Sequence, residues 1–309
     1  MSETPREMNI IGKRFWFFLI SGAVILAGII ALIAFGLKPG IEFKSGTEVT
    51  ISFSENATAT KEKVTGALEE LGYASGSFIV RAAGADYILD LPELNDAGKA
   101  ALLSALAKVG DFKDGGFYTV SPLAAGQTVR NASIAVLVSA VVILLYLAWA
   151  FRRMPNPIRW GTCAIASLLH DVLVVIGVFA ILSGIFGWQV DLMFVAAVLT
   201  VAGYSVNDTI VIYDRIREGV RRSPGVSFES VVNRSLVETM SRTLVTGLGT
   251  LFVLIALAII VGGPIQNLVV VLLVGIVTGT YSSIGTAASL LVVWERGEWG
   301  RFIRRKASA

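Results

Sequence analysis

The sequence predicts a polytopic α-helical membrane protein: six transmembrane helices, with a small α+β domain of ferredoxin-like topology on the extracytoplasmic side between helices one and two. Three observations carry this fold class. Of the 309 residues 54% are hydrophobic and 16% charged, against about a quarter charged in an ordinary soluble domain; with a mean hydropathy of +0.72 a soluble enzyme is excluded. The runs 15–37, 131–151 and 243–294 hold no Asp, Glu, Lys or Arg, and 160–190 and 192–213 are interrupted only by His170, Asp171 and Asp208, whereas about 20 apolar residues cross a bilayer. The one long segment left over, 38–127, holds eight basic and twelve acidic residues and reads as a folded insertion.

Residues 1–14 are polar and form a cytoplasmic N-terminus. The run 15–37, helix one, exceeds a secretory h-region and ends without a small-x-small cleavage site, so it reads as an uncleaved anchor. Within 38–127, Thr47–Phe53 alternates like a half-buried strand, and Thr60–Leu71 places apolar residues at helical spacing. Phe78–Arg81 and Asp86–Leu91 flank a short Ala-Ala-Gly-Ala turn as a hairpin. Asn95 caps a helix running to Val109, and Phe117–Val120 closes with a strand. The order β-α-β-β-α-β is the ferredoxin-like one, a fold that by itself assigns no activity. The segment has no His or Cys with which to build a catalytic or metal site. A structural spacer or partner contact is the first reading of this segment, and an open sheet edge that suits an extended peptide the second.

The five-helix bundle occupies 128–294, with helices over about 130–151, 160–183, 191–214, 243–262 and 268–294, and a basic cytoplasmic tail follows at 295–309. The run 243–294 is too long for one span, and Gly262-Gly263-Pro264 followed by Gln266-Asn267 divides it. Basic residues gather at Arg152, Arg153 and Arg159, between Arg215 and Arg234, and in the tail, while the turns 184–190 and 263–267 carry none. Both termini are therefore expected to face the cytoplasm. The asymmetry reads as topology and contact with anionic membrane lipids, with no nucleic-acid partner. The single cysteine, Cys163, lies in an apolar helix and excludes both an intrachain disulfide and a cysteine metal cluster. Asn-x-Ser/Thr matches at Asn56, Asn131 and Asn207 are chance occurrences.

Ionisable residues at membrane depth are costly and mark function. Asp208 lies six residues before Asp214, about 9 Å inside the helix end. Tyr204, Ser205, Asn207 and Thr209 surround it in the same stretch of helix four. Arg242 opens the next helix from the same side, so the two charges are expected to approach. Desolvation favours the neutral acid and a nearby guanidinium the carboxylate. A group balanced between them exchanges a proton when its access to water or its distance from the cation changes. The competing reading is a static ion pair that fixes helix packing. His170 and Asp171, as sequence neighbours, point about 100° apart and are not expected to form a catalytic pair by themselves; packing or hydrogen bonding is the first reading and a proton relay the second. Gly275, Gly279 and Ser283 place small residues every fourth position for close helix packing. No P-loop occurs and no intramembrane protease constellation. Work done by this chain must draw on an ion gradient or a partner.

The segment Val201-Ala-Gly-Tyr-Ser-Val-Asn-Asp-Thr-Ile-Val-Ile-Tyr-Asp-Arg-Ile-Arg-Glu218 resembles the fourth-helix signature of the SecF family of bacterial protein-export membrane proteins. Leu169-His-Asp171, Glu238-Thr-Met-Ser-Arg-Thr243 and Gly275-Ile-Val-Thr-Gly-Thr-Tyr-Ser-Ser283 support the resemblance. Ile41-Glu-Phe-Lys-Ser-Gly-Thr47 is similar to the family's I-D-F-x-G-G-T, departing from it at Glu42 and Ser45. The resemblance implies a member of the resistance-nodulation-division (RND) superfamily in the bacterial plasma (inner) membrane. It would pair with SecD to give twelve helices and assist the SecYEG translocon and SecA, with YajC as a further partner and secretory preproteins as cargo. It implies no cofactor, protons as the coupling ion, Asp208 as the proton-pathway carboxylate and Arg242 as the essential arginine. An RND-type exporter of a small molecule or lipid, and a purely structural scaffold, are the readings from other classes.

Overall fold

The structure is a computed structural model describing residues 8–54, 60–83, 86–154, 156–261 and 265–299. In lipid every backbone polar group must be satisfied within the segment, and each uncharged run accordingly folds as a helix. In chain order the elements are α1 (Arg14–Phe35), a single turn α2 (Ile41–Lys44), β1 (Gly46–Phe53), α3 (Lys61–Glu70), β2 (Ile79–Ala83), β3 (Asp86–Leu91), α4 (Asp96–Ala107) and β4 (Phe112–Val120). The long helices α5 (Pro122–Phe151), α6 (Pro157–Phe186), α7 (Leu192–Arg222) and α8 (Phe228–Val261) follow. Finally α9 (Gln266–Ser282) passes through a π-helical turn, Ser283–Ala287, into α10 (Ala288–Arg296). Six helices among the described residues are long and apolar enough to cross a membrane, as expected of a multi-pass membrane protein.

Three helices outrun the uncharged stretches that reveal them. α5 begins at Pro122 rather than near 130, where Ser121 Oγ accepts from the Ala124 amide (3.3 Å) and proline occupies the first turn. α7 continues past 214 to Arg222, and α8 begins at Phe228 rather than near 243. Missing charge marks only the lipid-facing part of a helix. Beyond it the same helix continues with polar side chains in i,i+3 and i,i+4 ion pairs such as Arg217–Asp214 (2.6 Å) and Arg222–Glu218 (2.6 Å). The Gly262–Pro264 turn, residues 1–7 and residues 300–309 of the basic tail lie outside the described residues.

The inserted unit is a four-stranded antiparallel sheet in the order β2-β3-β1-β4. Val49 and Ile51 of β1 point to one face and are fully buried with Val64, Leu68, Leu89, Leu102 and Leu106, which fits the alternation in the sequence. Thr60 and Asn95 cap the two helices, accepting from the Lys63 and Gly98 amides at 3.4 and 2.8 Å. Arg81 gathers Glu48 (2.9 Å) and both oxygens of Asp90 (3.1 and 3.0 Å). Asp90 also accepts from Gln189 Nε2 (2.6 Å) in the α6–α7 connection, which ties the sheet to the helical bundle. Burial, the largest influence, outweighs Arg81 and with Asp90 holds the Glu48 carboxyl above its ordinary range. A raised value means that Glu48 supports folding below the ordinary carboxylate range and opposes it as pH climbs through the raised value. Glu48→Gln is therefore expected to raise the melting temperature of the full chain at about pH 7.5 while matching wild type at about pH 4; a uniform shift at both values would refute the assignment.

Two contacts fix α1 in the bundle. Gly28 and Gly177 of α6 meet so closely that a Cβ on either would lie 2.8 or 2.6 Å from the other's Cα. At its start, Arg14 is buried and donates to Glu298 (2.7 Å) and Glu229 (2.8 Å), joining the two ends of the chain to α8. Gly28→Leu is expected to cost about 1–3 kcal/mol by overpacking, read as a lower thermal unfolding midpoint in detergent, and an unchanged midpoint would contradict the close crossing.

Candidate proton site

The site grows from one helix crossing. A Cβ on Gly275 would sit 2.0 Å from Val201 Cγ2, and one on Gly279 would touch Ser205 Cβ at 3.4 Å. The small residues of α9 therefore let α7 approach, and Ser283 Oγ shares a 3.0 Å hydrogen bond with Thr209 Oγ1 across the seam. This approach assembles a polar hub on Asp171 of α6, which is fully buried. Ser205 Oγ (2.5 Å) and Ser282 Oγ (2.7 Å) donate to Asp171 Oδ2, and His170 Nδ1 lies 2.9 Å from Oδ1. The Cα–Cβ directions of the two neighbours diverge, yet the imidazole bends back to within hydrogen-bonding distance of Asp171. His170 stacks on Tyr281 (ring centroids 6.3 Å apart), and its Nε2 is buried without a partner among the described residues.

Asp208, half-buried on α7, is satisfied on one side only. Thr243 Oγ1 of α8 donates to Oδ1 at 3.0 Å, while Oδ2 is buried and has no hydrogen-bond partner among the described residues. Arg242 does not close this gap. It is exposed, and among the described residues it forms no ion pair. Arg242 thus stands near enough for its charge to act on Asp208 but does not bond it: Thr243 takes the position facing α7, and adjacent helix residues point about 100° apart. Asn207 is exposed on the outer face of α7 together with Thr200 and Gly203. Tyr204 is half-buried, its hydroxyl beside Thr280 at the close approach of Gly247.

The two carboxylates differ in chemical capacity. With three partners, Asp171 is locked in place. Asp208 has an oxygen to which a proton can be added without breaking a bond. Ser282, the second hydroxyl on Asp171, was missed by sequence reasoning; its only signal is its place beside Ser283 in the small-residue stripe. The segment after α1 is tied in as well. Glu42 Oε2 accepts from the Leu192 amide at the start of α7 (2.6 Å). Ser45 adopts φ +69°, and a Cβ on Gly46 would lie 2.5 Å from the Leu91 carbonyl oxygen.

Residues 101–297 match the family described as protein export membrane protein SecD/SecF, C-terminal, and residues 30–57 match the SecD/SecF GG motif. The chain belongs to the SecD/SecF protein-export family. Protein translocase subunit SecF of Thermobaculum terrenum is 42% identical over 96% of this chain and 97% of that protein. Protein translocase subunit SecDF of Bacillus subtilis is 33% identical over 96% of this chain, which spans 39% of its length. The crystal structure of SecDF, a translocon-associated membrane protein from Thermus thermophilus, matches with a TM-score of 0.84 and 30% identity, covering 96% of this chain and 40% of that one. The SecD/SecF match gives the chain a role in protein export and does not favour the small-molecule exporter. Within the GG motif Ser45 stands where the family pattern has its first glycine, and it occupies the left-handed backbone region that glycine adopts without strain.

Proposed function

We propose that the chain is the SecF half of a proton-driven complex with SecD that helps the SecYEG and SecA machinery complete the export or release of secretory preproteins. The half-satisfied carboxylate of Asp208 carries the reading: an acid at membrane depth with one bonded and one free oxygen is the minimum device for taking up and releasing a proton. Tyr204, Ser205 and Thr209 accompany it on α7, Asn207 and Arg242 stand beside it on the exposed face of α7 and α8, and His170 with Asp171 stands one helix away as a relay. Protons serve as the coupling ion, no cofactor takes part, and the activity is transport rather than covalent catalysis.

The partner follows from the face that carries Asn207 and Arg242. Polar groups exposed at or near membrane depth lack partners in lipid, so the outer face of α7 and α8 is the one SecD covers. In this reading the chain lies in the bacterial inner membrane with both termini cytoplasmic. The β-α-β-β-α-β unit is then a ferredoxin-like domain on the extracytoplasmic side, YajC is a further partner and lipids surround the bundle. The test reconstitutes this chain, its SecD and the translocase in proteoliposomes and follows release of a translocating preprotein with and without a proton gradient. Faster release under the gradient supports the proposal, and equal release refutes it.

A further inference from the structure

The ends of α7 and α8 that extend beyond their uncharged spans enclose a groove of about 320 Å³, whose lining includes Arg215, Arg222, Arg234 and Glu238 with the hydroxyls of Ser223 and Ser230. Its floor is formed where the helices meet: a Cβ on Gly219 would lie 2.8 Å from Val231 Cγ1 and 3.1 Å from Ser235 Oγ. Glu218 and Glu238 thread the guanidiniums into one alternating chain, Arg222–Glu218–Arg215–Glu238–Arg234. Three cations against two anions leave one positive charge in excess. Arg222 engages its carboxylate through Nη2 (2.6 Å) and Arg234 through Nε (3.1 Å), and both side chains are 68% exposed. Each guanidinium carries five N–H donors in a planar fork, so both retain donors in the geometry that suits phosphate oxygens.

Depth points to the same chemistry. The uncharged stretch of α7 ends at Tyr213 and that of α8 begins at Thr243. At the helical rise the backbone of Arg215 lies about 3 Å beyond that edge and those of Arg222 and Arg234 about 14 Å, but these two reach back to Glu218 and Glu238 at about 8 Å, and the headgroup layer is about 5–8 Å thick on each side. The two guanidiniums are therefore held at the outer edge of the layer where lipid phosphates sit, with water beyond. We propose that the groove binds a phosphate-bearing anion, delivered as an anionic lipid headgroup or as free phosphate. Such an anion bridges Arg222 and Arg234, and so holds together the two helices that carry Asp208 and Thr243.

The test uses the full-length chain and two variants: Arg222→Ala/Arg234→Ala in the groove, and Arg152→Ala/Arg153→Ala, which removes the same charge from the α5–α6 connection. Each is reconstituted in phosphatidylcholine vesicles with and without phosphatidylglycerol and extracted gently, and retained lipid is counted by native mass spectrometry. Inorganic phosphate is titrated separately into delipidated protein by calorimetry. The groove variant is expected to lose phosphatidylglycerol retention about tenfold relative to the control variant. Phosphate binding abolished by the groove variant alone, without selective lipid retention, identifies a soluble ligand and also supports the site. Equal behaviour of the two variants in both measurements overturns the proposal.

Discussion

Asp208→Asn is expected to fold and assemble normally yet release preprotein at the rate seen without a gradient. Asparagine keeps the oxygen that accepts from Thr243 at 3.0 Å, so the contact between α7 and α8 survives. What it removes is the oxygen without a partner, the atom on which a proton can be gained and lost. Gradient-stimulated release should fall by about tenfold or more, as for loss of an essential proton-transfer group, while co-purification with SecD stays intact. Stimulated release in the variant would exclude Asp208 as the proton carrier. The scaffold reading makes the opposite prediction for the exchange Asp208→Arg with Arg242→Asp, because a mere attraction survives reversal. Arg242, exposed and without an ion pair to Asp208 among the described residues, argues that the exchanged pair fails.

The second large effect is structural and falls on Asp171. Asp171→Leu is expected to lower stability by about 2–4 kcal/mol, because the hydroxyls of Ser205 and Ser282 and the imidazole of His170 lose a shared acceptor inside the bundle. Asp171→Asn should cost about 1 kcal/mol. Its carbonyl oxygen replaces Oδ2 for both serines, and its amide donates to His170 Nδ1 once the imidazole proton moves to Nε2. Thermal unfolding in detergent, followed by tryptophan fluorescence, separates the two variants. If leucine were tolerated as well as asparagine, the hub would not be holding α6, α7 and α9 together.

How much of this was legible depends on what each residue does to a linear pattern. Asp208 interrupts an uncharged run, so it was visible, and the helices were visible for the same reason. The antiparallel strands announced themselves by alternation at Thr47–Phe53 and by the hairpin pattern of Phe78–Arg81 and Asp86–Leu91. The hub on Asp171 was not visible, because Ser205 and Ser282 are ordinary in an apolar helix and only their convergence on one carboxylate gives them meaning. Arg14 and Glu298 lie at opposite ends of the chain, and nothing local relates them. Arg242 and Thr243 show the finer limit. The stretch of helix that faces Asp208 could be read, but which of two adjacent side chains turns inward depends on a rotation of about 100° that packing sets.

The π-helical turn at Ser283–Ala287 makes the end of the protein depend on a count. A wide turn accommodates one more residue than an α-turn would, so α10 leaves it with its phase displaced from that of α9. In that displaced phase Leu291 and Val292 are buried in the core and Ala287 offers its carbonyl oxygen to the Tyr213 hydroxyl at 2.9 Å. Removing any single residue from the turn would restore regular winding and swing everything after it by about 100°, carrying Glu298 away from Arg14. Substitutions there alter only one side chain each, whereas a deletion misdirects a whole helix face. The segment's information is its length.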